Sequence, residues 1–275
     1  MNRRKFRSPL PGFTSTLSVT MFWLFGWLVL PLVACVLKAA TLSPSQFFAA
    51  AWSSRARSAY WLTFGASATA AFVSVLFGLL IAWVLVRYSF PGRRVVDAMI
   101  DLPFALPTAV AGLVYSTLYV QSGWYGQFLV PLGIQGYNTF LAIVLMLVFL
   151  GLPFVVRTVQ PVLESLEGDI EEAAASLGAS RWQTFQQVLL PSLLPGMITG
   201  FALAFARGLG EYGSIVFVMG NIPFKSEIAP ALIVAQLDDY RYAEATSIAV
   251  MLLIGSFTSL GLINWLEARN RRYAS

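Results

Sequence analysis

Residues 171–178 read Glu-Glu-Ala-Ala-Ala-Ser-Leu-Gly, and after nine further residues positions 188–191 read Val-Leu-Leu-Pro. The stretch lies between two long apolar runs, so it is predicted to be a loop between membrane spans. Gly178 suits the position just after a helix, because the left-handed backbone conformation costs glycine little. Ser180 and Gln183 have the spacing of a capping box, which begins the next helix. The local pattern therefore predicts helix, sharp turn and helix, with Pro191 ending the second helix.

The composition places this loop in a membrane protein. The chain of 275 residues is 57% hydrophobic and 11% charged, and its mean hydropathy is +0.71. Several apolar runs reach the roughly 20 residues that a helix needs to cross a bilayer. The expected fold class is all-α, a polytopic membrane protein of six transmembrane helices in a single domain, residues 1–275. The predicted spans are about Leu17–Leu37, Tyr60–Val86, Phe104–Val120, Tyr137–Val156, Leu193–Met219 and Thr246–Leu266.

Lysine and arginine are concentrated on one side of these spans. Twelve of the 18 basic residues precede the first span, follow the last, or lie in the second–third and fourth–fifth loops. They are Arg3, Arg4, Lys5, Arg7, Arg87, Arg93, Arg94, Arg157, Arg181, Arg269, Arg271 and Arg272. The positive-inside rule makes this side cytosolic, with both termini inside. A cleaved signal peptide is the alternative for the first span. However, this apolar run is longer than the core of a signal peptide, and the five later spans require a first membrane segment that is not removed.

The residue types that carry most catalytic chemistry are scarce. The sequence has no histidine and one cysteine, Cys35, so neither a Ser-His-Asp arrangement nor an intrachain disulfide is possible. A phosphate-binding loop needs G-x-x-x-x-G-K-[ST], and the nearest run, residues 220–226, lacks the second glycine. We expect no catalytic residue, no metal site and no cofactor in this chain, so that any ATP and Mg²⁺ bind to another polypeptide.

The loop between the fourth and fifth spans has the features of a docking surface. Its first segment is acidic and is followed by small residues that allow close approach. The acidic residues are Glu164, Glu167, Asp169, Glu171 and Glu172. Trp182, Phe185 and Leu189 follow helical spacing and form one apolar stripe. A helix lying on lipid headgroups is the alternative, but anionic headgroups repel acidic residues. The residues therefore favour docking of a soluble partner.

The fifth span combines small residues with an intramembrane ion pair. Gly196, Gly200, Ala204 and Gly208 recur every fourth residue and form a groove for helix packing, with pore lining as the alternative. Arg207 and Glu211 lie one turn apart and can pair, which lowers the cost of charge inside the membrane. The pair is either structural or part of a gate that offers an anion a transient positive contact.

The third span begins Asp-Leu-Pro-Phe-Ala-Leu-Pro-Thr-Ala-Val-Ala-Gly at residues 101–112. Its two prolines free backbone carbonyls, which favours an interrupted helix beside a pathway. An ordinary proline at a helix start is equally compatible with the residues. Pro107 and Thr108 join Arg207 and Glu211 as candidate residues of the translocation path or gate.

The loop resembles the signature loop of ABC importer permeases, E-A-A, three residues, G, nine residues, I-x-L-P. Glu172, Ala173, Ala174, Gly178, Leu190 and Pro191 match that pattern, and Val188 replaces the usual isoleucine. The run at 101–112, the run Leu-Pro-Phe-Val-Val-Arg-Thr-Val-Gln-Pro at 152–161 and the run Arg-Gly-Leu-Gly-Glu-Tyr-Gly at 207–213 narrow the resemblance. They are similar to the T subunit of bacterial sulfate/thiosulfate permeases, over about residues 11–266.

The resemblance implies a type I ABC importer permease fold in the bacterial inner membrane. Its core module would cover about residues 60–266, with a cytoplasmic coupling loop at about 157–192. The implied partners are a W-type permease subunit, two ATPase subunits and a periplasmic sulfate- or thiosulfate-binding protein. The residues that would contact the ATPase subunit are Glu171, Glu172, Ala173, Ala174, Gly178, Trp182, Phe185, Leu190 and Pro191. The rival functions are a molybdate/tungstate ABC permease and an ion-gradient secondary transporter.

Overall fold

The computed structural model describes residues 12–166 and 168–271, and the regular elements within them are all helical. Some residues used in the sequence analysis lie outside the described residues: Arg3, Arg4, Lys5, Arg7, Glu167 and Arg272. Five helices in the described part are long and apolar enough to cross a membrane. They are α1 (Phe13–Ala39), α3 (Ser54–Arg87), α8 (Phe140–Ser165), α10 (Arg181–Leu209) and α13 (Tyr242–Arg271). Five of the six predicted spans are thus confirmed as long helices.

Short helices connect these spans. They are α2 (Pro44–Ala51), α4 (Arg93–Ile100), α5 (Leu102–Ala105), α6 (Thr108–Tyr119), α7 (Gly126–Leu129), α9 (Gly168–Ser176), α11 (Ile215–Val218) and α12 (Ala229–Asp238). Here α2, α7 and α12 lie on the side opposite to Arg87 and Arg157. We call the side that holds Arg87, α4 and α9 the basic side.

The predicted third span is not one continuous helix. The chain forms α5 and then α6, and α6 has only 12 residues. Between them Leu106 is extended, with φ −85° and ψ 132°, because the ring of the following proline disfavours helical backbone at the residue before it. The prediction of a span over Phe104–Val120 was therefore wrong in its continuity, and the interrupted alternative describes the segment.

The fifth span differs from its predicted bounds at both ends. Pro191 does not end a separate helix, because α10 runs unbroken from Arg181 to Leu209. A wider π-helical turn, Phe185–Leu189, ends two residues before the proline, and such turns make room for a ring that lacks an N–H. At the other end α10 stops at Leu209 instead of Met219, and α11 follows only after residues 210–214.

Helices α3, α8 and α10 form the core through small residues. The β-carbon of Ala204 in α10 faces Gly151 of α8, and Gly78 of α3 lies against Val155 of α8. The buried cluster around this contact includes Ala71, Leu163, Leu193 and Phe205. In contrast, the apolar window of α1 has no buried residue, and α1 packs mainly against α13. The core of the chain is therefore a three-helix block, with α1 outside it.

Arginine–carboxylate contacts fix the connections at both ends of the bundle. On the basic side, Arg157 of α8 donates to Asp97 of α4 at 2.6 Å and to Asp101 at 2.7 Å. On the opposite side, Arg55 of α3 binds both carboxylate oxygens of Glu227, at 2.6 and 2.7 Å. The Glu227 side chain is 1% exposed, so this forked contact satisfies an otherwise costly buried charge.

Candidate functional site

Helix α9 projects from the basic side and ends in a sharp turn at Gly178. The glycine has φ +83°, the left-handed conformation that the sequence predicted. The Gly178 N–H donates to the Ala175 carbonyl at 2.9 Å and the Ala179 N–H to the Ala174 carbonyl at 3.0 Å. This pair of bonds is a Schellman motif, which satisfies the last carbonyls of α9. The turn at the end of α9 is therefore set by backbone geometry.

The capping box at the start of α10 completes the turn. The Gln183 N–H donates to Ser180 Oγ at 3.3 Å, and the Ser180 N–H donates to Gln183 Oε1 at 2.8 Å. Both contacts confirm the predicted helix start. Only Ala179 and Ser180 separate the left-handed glycine from the first residue of α10. The angle between the two helices is consequently fixed by local hydrogen bonds at both sides of the turn.

Helix α9 has an outer and an inner face. Glu172, Ala173 and Leu177 are exposed, and Leu177 is 89% exposed. Glu171 and Ala174 are half-buried on the other face. Apart from the two sequence neighbours of Gly178, no residue that the structure describes has an atom within 4 Å of the position that a β-carbon of Gly178 would occupy. The outer face thus offers the carboxylate of Glu172, the small side chain of Ala173 and the projecting Leu177 to a partner.

The remaining predicted docking residues belong to α10. Trp182 is 63% exposed and stacks on the half-buried ring of Phe185, with 5.6 Å between the ring centroids. Leu190 is half-buried and Pro191 is exposed, both beyond the π-helical turn. Leu189 is buried, so the predicted apolar stripe passes from an exposed tryptophan into the bundle. Trp182 and Pro191 are the exposed members of this set.

The two helix interruptions meet at the level of the middle of α8. A β-carbon at Gly213 would lie 2.5 Å from Thr108 Oγ1, so the loop 210–214 packs directly against the start of α6. Gly112 of α6 is close to the backbone of Ser214 in the same way. Ala111, Met146, Leu150 and Val218 form a buried cluster beside this contact. The structure therefore brings Pro107 and Thr108 to the loop that holds Glu211.

The predicted pair between Arg207 and Glu211 is present at this junction. The Arg207 guanidinium contacts one carboxylate oxygen, and the other accepts from the Ser214 N–H and hydroxyl, each at 2.9 Å. The side chain of Glu211 is 3% exposed, whereas that of Arg207 is 33% exposed. Glu211 is thus held by Arg207 of α10 and by two contacts from Ser214 of the loop, whereas the Arg207 side chain stays partly exposed.

The small-residue groove of α10 faces the neighbouring helices of the same chain. A β-carbon at Gly196 would lie 3.0 Å from the Thr158 carbonyl oxygen, and one at Gly200 would lie 2.9 Å from Val155 Cα. Ala204 meets α8 at Gly151, and Gly208 meets α3 at Ser67. Gly196, Gly200, Ala204 and Gly208 are all buried. Their position accounts for the close approach of α10 to α8 and α3.

Three further residues at these places were missed by sequence reasoning. Arg87 pairs with Glu171, Ser214 anchors Glu211, and Gly112 admits the backbone of Ser214. The run Glu211–Ser214 contains a local signal, since a serine three residues after a carboxylate can donate to it. The other two contacts join distant parts of the chain. In residues 12–166 and 168–271 no group of three or more His, Cys, Asp and Glu residues is arranged to hold a metal ion.

Comparisons with known proteins place the chain among transport permeases. Residues 74–272 match the family described as binding-protein-dependent transport system inner membrane component. The chain is 50% identical over 256 residues to the probable sulfate transport system permease protein CysT of Nephroselmis olivacea, covering 93% of this chain and 90% of that one. It is 44% identical over 263 residues to the sulfate transport system permease protein CysT of Escherichia coli K12, covering 96% and 95%.

Solved structures share the fold. A bacterial alginate ABC transporter in complex with an alginate pentasaccharide-bound periplasmic protein contains a chain that matches with a TM-score of 0.75 at 18% identity, over 93% of both chains. An amino acid ABC transporter matches with a TM-score of 0.55 at 20% identity, over 79% of this chain and 95% of that one. At identities this low, the similarity indicates a common fold and carries no information about the transported solute.

Proposed function

Because the chain belongs to the family of inner membrane components of binding-protein-dependent transport systems, we propose that it is the permease subunit of an ATP-driven importer of sulfate and thiosulfate. The observation that carries the solute is the 44–50% identity, over nearly the whole chain, to permeases named for sulfate transport. The chain would move the anion, and a separate ATPase subunit would hydrolyse ATP and hold its Mg²⁺. No cofactor of its own enters this proposal.

The ATPase subunit is proposed to bind the outer face of α9. Exposed Glu172, Ala173, Leu177 and Trp182 support this site, because a carboxylate, a flat alanine surface and projecting apolar side chains suit a cleft of complementary shape and charge. Gly178 and the capping box hold α9 at a set angle to α10. Force applied to α9 would therefore pass into a membrane-spanning helix.

The assembly is proposed to contain a second permease of the W type, two ATPase subunits and a periplasmic sulfate- or thiosulfate-binding protein. In this arrangement the basic side is cytosolic and both termini lie inside, as the positive-inside rule predicts. Exposed Trp124 and Phe128 beside α7 and exposed Tyr240 after α12 would then lie on the outer side. They are available there to the binding protein or the second permease.

The path for the anion is proposed to pass the junction of the two interrupted helices. Arg207 supplies a partly exposed guanidinium, and α6 begins at Thr108, which packs against the loop that holds Glu211. Discontinuous helices of this kind commonly form solute sites in transporters. A single partly neutralised arginine attracts an anion without holding it tightly, which transport requires.

The solute proposal is tested by uptake of labelled sulfate. Cells that lack their own sulfate permease, but supply the other subunits, should regain uptake when this chain is expressed. Excess thiosulfate should suppress that uptake, and molybdate should leave it unchanged. Uptake suppressed by molybdate alone would contradict the sulfate proposal. Uptake that persists without ATP and follows a proton gradient would contradict the importer proposal.

Replacing the ion pair separates an anion contact from a structural one. The Arg207→Gln variant leaves Glu211 without its cation, and breaking a fully buried pair costs about 3–5 kcal/mol. The cost should be smaller here, because Arg207 is partly exposed. The double variant Arg207→Gln, Glu211→Gln removes both charges and should restore the amount of folded protein.

The uptake by the double variant then decides the role of Arg207. If Arg207 contacts the anion, uptake stays about tenfold below that of the parent, a loss of about 1.4 kcal/mol in transition-state stabilisation. The Arg207→Lys variant, which keeps the charge, should retain most uptake. Full uptake by the folded double variant would show that the pair is structural.

A further inference from the structure

Glu171 makes a contact that the sequence did not suggest. Its carboxylate lies 2.6 Å from the guanidinium of Arg87, the last residue of α3. The side chains are 22% exposed for Arg87 and 35% exposed for Glu171. The pair joins the projecting helix α9 to a different membrane span from the one that follows it in the chain.

Aromatic side chains hold Arg87 in this position. The guanidinium carbon lies 5.8 Å from the centre of the Trp83 ring, one turn earlier in α3. Trp83 packs edge-on against Phe185 of α10, with 5.9 Å between ring centroids, and Phe185 stacks on Trp182. The contact between an arginine and an aromatic face is favourable and restricts the arginine to few rotamers. Arg87 is thus fixed at the point where α3, α9 and α10 meet.

Glu171 and Glu172 lie on different faces of α9 and make different contacts. Glu172 is exposed with Ala173 and Leu177, on the face proposed to bind the ATPase subunit. Glu171 is half-buried with Ala174 on the face toward Arg87. A partner on the outer face would leave the Arg87–Glu171 pair in place. Neighbouring carboxylates in the sequence therefore point to different partners.

A second attachment changes what a docked partner can move. Along the chain, α9 follows α8 after residues 166–167 and continues into α10 through the turn at Gly178. The hydrogen bonds of the turn set the angle between α9 and α10, but they do not attach α9 to α3. The contact of Glu171 with Arg87 attaches α9 to α3 as well, and α3 packs along α8 and α10. A push on α9 then reaches two spans of the core together.

We propose that the Arg87–Glu171 pair is a positioning link that fixes α9 to α3, so that movement of the ATPase subunit drives α3 and α10 as one unit. This inference rests on the proposed function, and it assigns Glu171 to a contact within the chain instead of to the ATPase surface. Exposed or partly exposed ion pairs add little to folding stability. Loss of the pair should therefore lower coupling and leave the amount of folded protein unchanged.

The test is a double-mutant cycle on the assembled complex in vesicles. Arg87→Gln and Glu171→Gln should each lower the solute taken up per ATP hydrolysed by about fivefold, the lower end of usual coupling between sites. The double variant should be no worse than either single one, because all three lack the same contact. Arg87→Glu combined with Glu171→Arg should recover most of the coupling, and Arg87→Lys should retain most of it.

One control variant and two contrary outcomes complete the test. Arg94→Gln removes an exposed arginine of α4 on the same side and should leave coupling unchanged. If Glu171 contacts the ATPase subunit directly, Glu171→Gln will weaken co-purification of that subunit while Arg87→Gln will have no effect. Independent losses that add in the double variant would likewise contradict a shared contact.

A second measurement does not depend on the solute. A nitroxide placed at exposed Ser176, in a Cys35→Ala chain in membrane vesicles without the ATPase subunit, reports the motion of α9. Arg87→Gln should increase its mobility, and Arg94→Gln should not. Unchanged mobility in Arg87→Gln would overturn the link. Increased mobility together with absent sulfate uptake in the parent chain would refute the solute and leave the link standing.

Discussion

The Gly178→Asp variant should reach the membrane in normal amounts and lose about tenfold or more of its uptake, equivalent to about 1.4 kcal/mol of coupling. The glycine has φ +83°, where a residue with a β-carbon is strained by about 1–2 kcal/mol. The added carboxylate also lies at the carboxyl end of α9, where the helix dipole is negative and opposes it by about 0.3–1 kcal/mol. Among the described residues, none beyond the two sequence neighbours has an atom within 4 Å of the new β-carbon, so the substitution does not crowd that part of the fold.

Gly178→Asn is the matched control for this prediction. Asparagine has nearly the shape of aspartate, carries no charge and adopts the left-handed conformation more readily than most residues. It should keep most uptake, with the same amount of protein in the membrane. ATP hydrolysis by the complex, measured beside uptake, should persist or rise in Gly178→Asp as uptake falls. Equal uptake by Gly178→Asp and the parent chain would contradict the role given to this turn.

Gly112→Ala should disrupt the junction of the two interrupted helices. The new β-carbon would lie 2.8 Å from Ser214 Cα and closer still to the Ser214 carbonyl oxygen, so α6 or the loop 210–214 must shift. Overpacking of this kind typically costs about 1–3 kcal/mol. Ser214 holds Glu211, which pairs with Arg207, so the shift reaches the proposed path as well. We expect a melting temperature lower by about 2–8 °C and uptake reduced roughly tenfold.

The control for Gly112→Ala is the same substitution at Gly65 of α3. A β-carbon there meets nothing within 4 Å, and alanine favours a helix by about 1 kcal/mol over glycine. Gly65→Ala should match or exceed the parent chain in melting temperature and equal it in uptake. A Gly112→Ala protein that unfolds at the temperature of the parent would show that the junction yields without cost. It would also remove the reason for placing the gate there.

Features set by neighbouring residues were predictable from the sequence. The left-handed turn at Gly178 and the capping box of Ser180 and Gln183 depend on a few consecutive residues, and both were correct. The pairing of Arg207 with Glu211 follows from helical spacing. Five long helices followed from apolar length alone. In each case the interactions that determine the feature are made by residues close together in the sequence.

Features set by distant parts of the chain were not predictable in the same way. A proline can end a helix or continue it after a wider turn, and the packing of Phe185 against Trp83 of α3 accompanies the second outcome at Pro191. The run at 101–112 was compatible with an interrupted helix beside a pathway or with an ordinary proline at a helix start, and the packing of its Gly112 against Ser214 could not be read from the residues. Glu171 resembles its neighbour Glu172 in sequence, and only the fold separates them by placing Arg87 beside one.

The close contacts among α3, α8 and α10 also determine how the molecule can change shape. Gly78, Gly151 and Gly200 leave no layer of flexible side chains between these helices, because even one β-carbon would lie 2.6–3.1 Å from an atom of the next helix. At these contacts the helices cannot slide past one another, because few side chains there can change rotamer to make room. Sliding of α3 or α10 along α8 is therefore resisted at these contacts, and we expect the bending of a transport cycle at the boundary with α6 and α11. The loop between Leu209 and Ile215 is therefore the place where we expect the chain to bend.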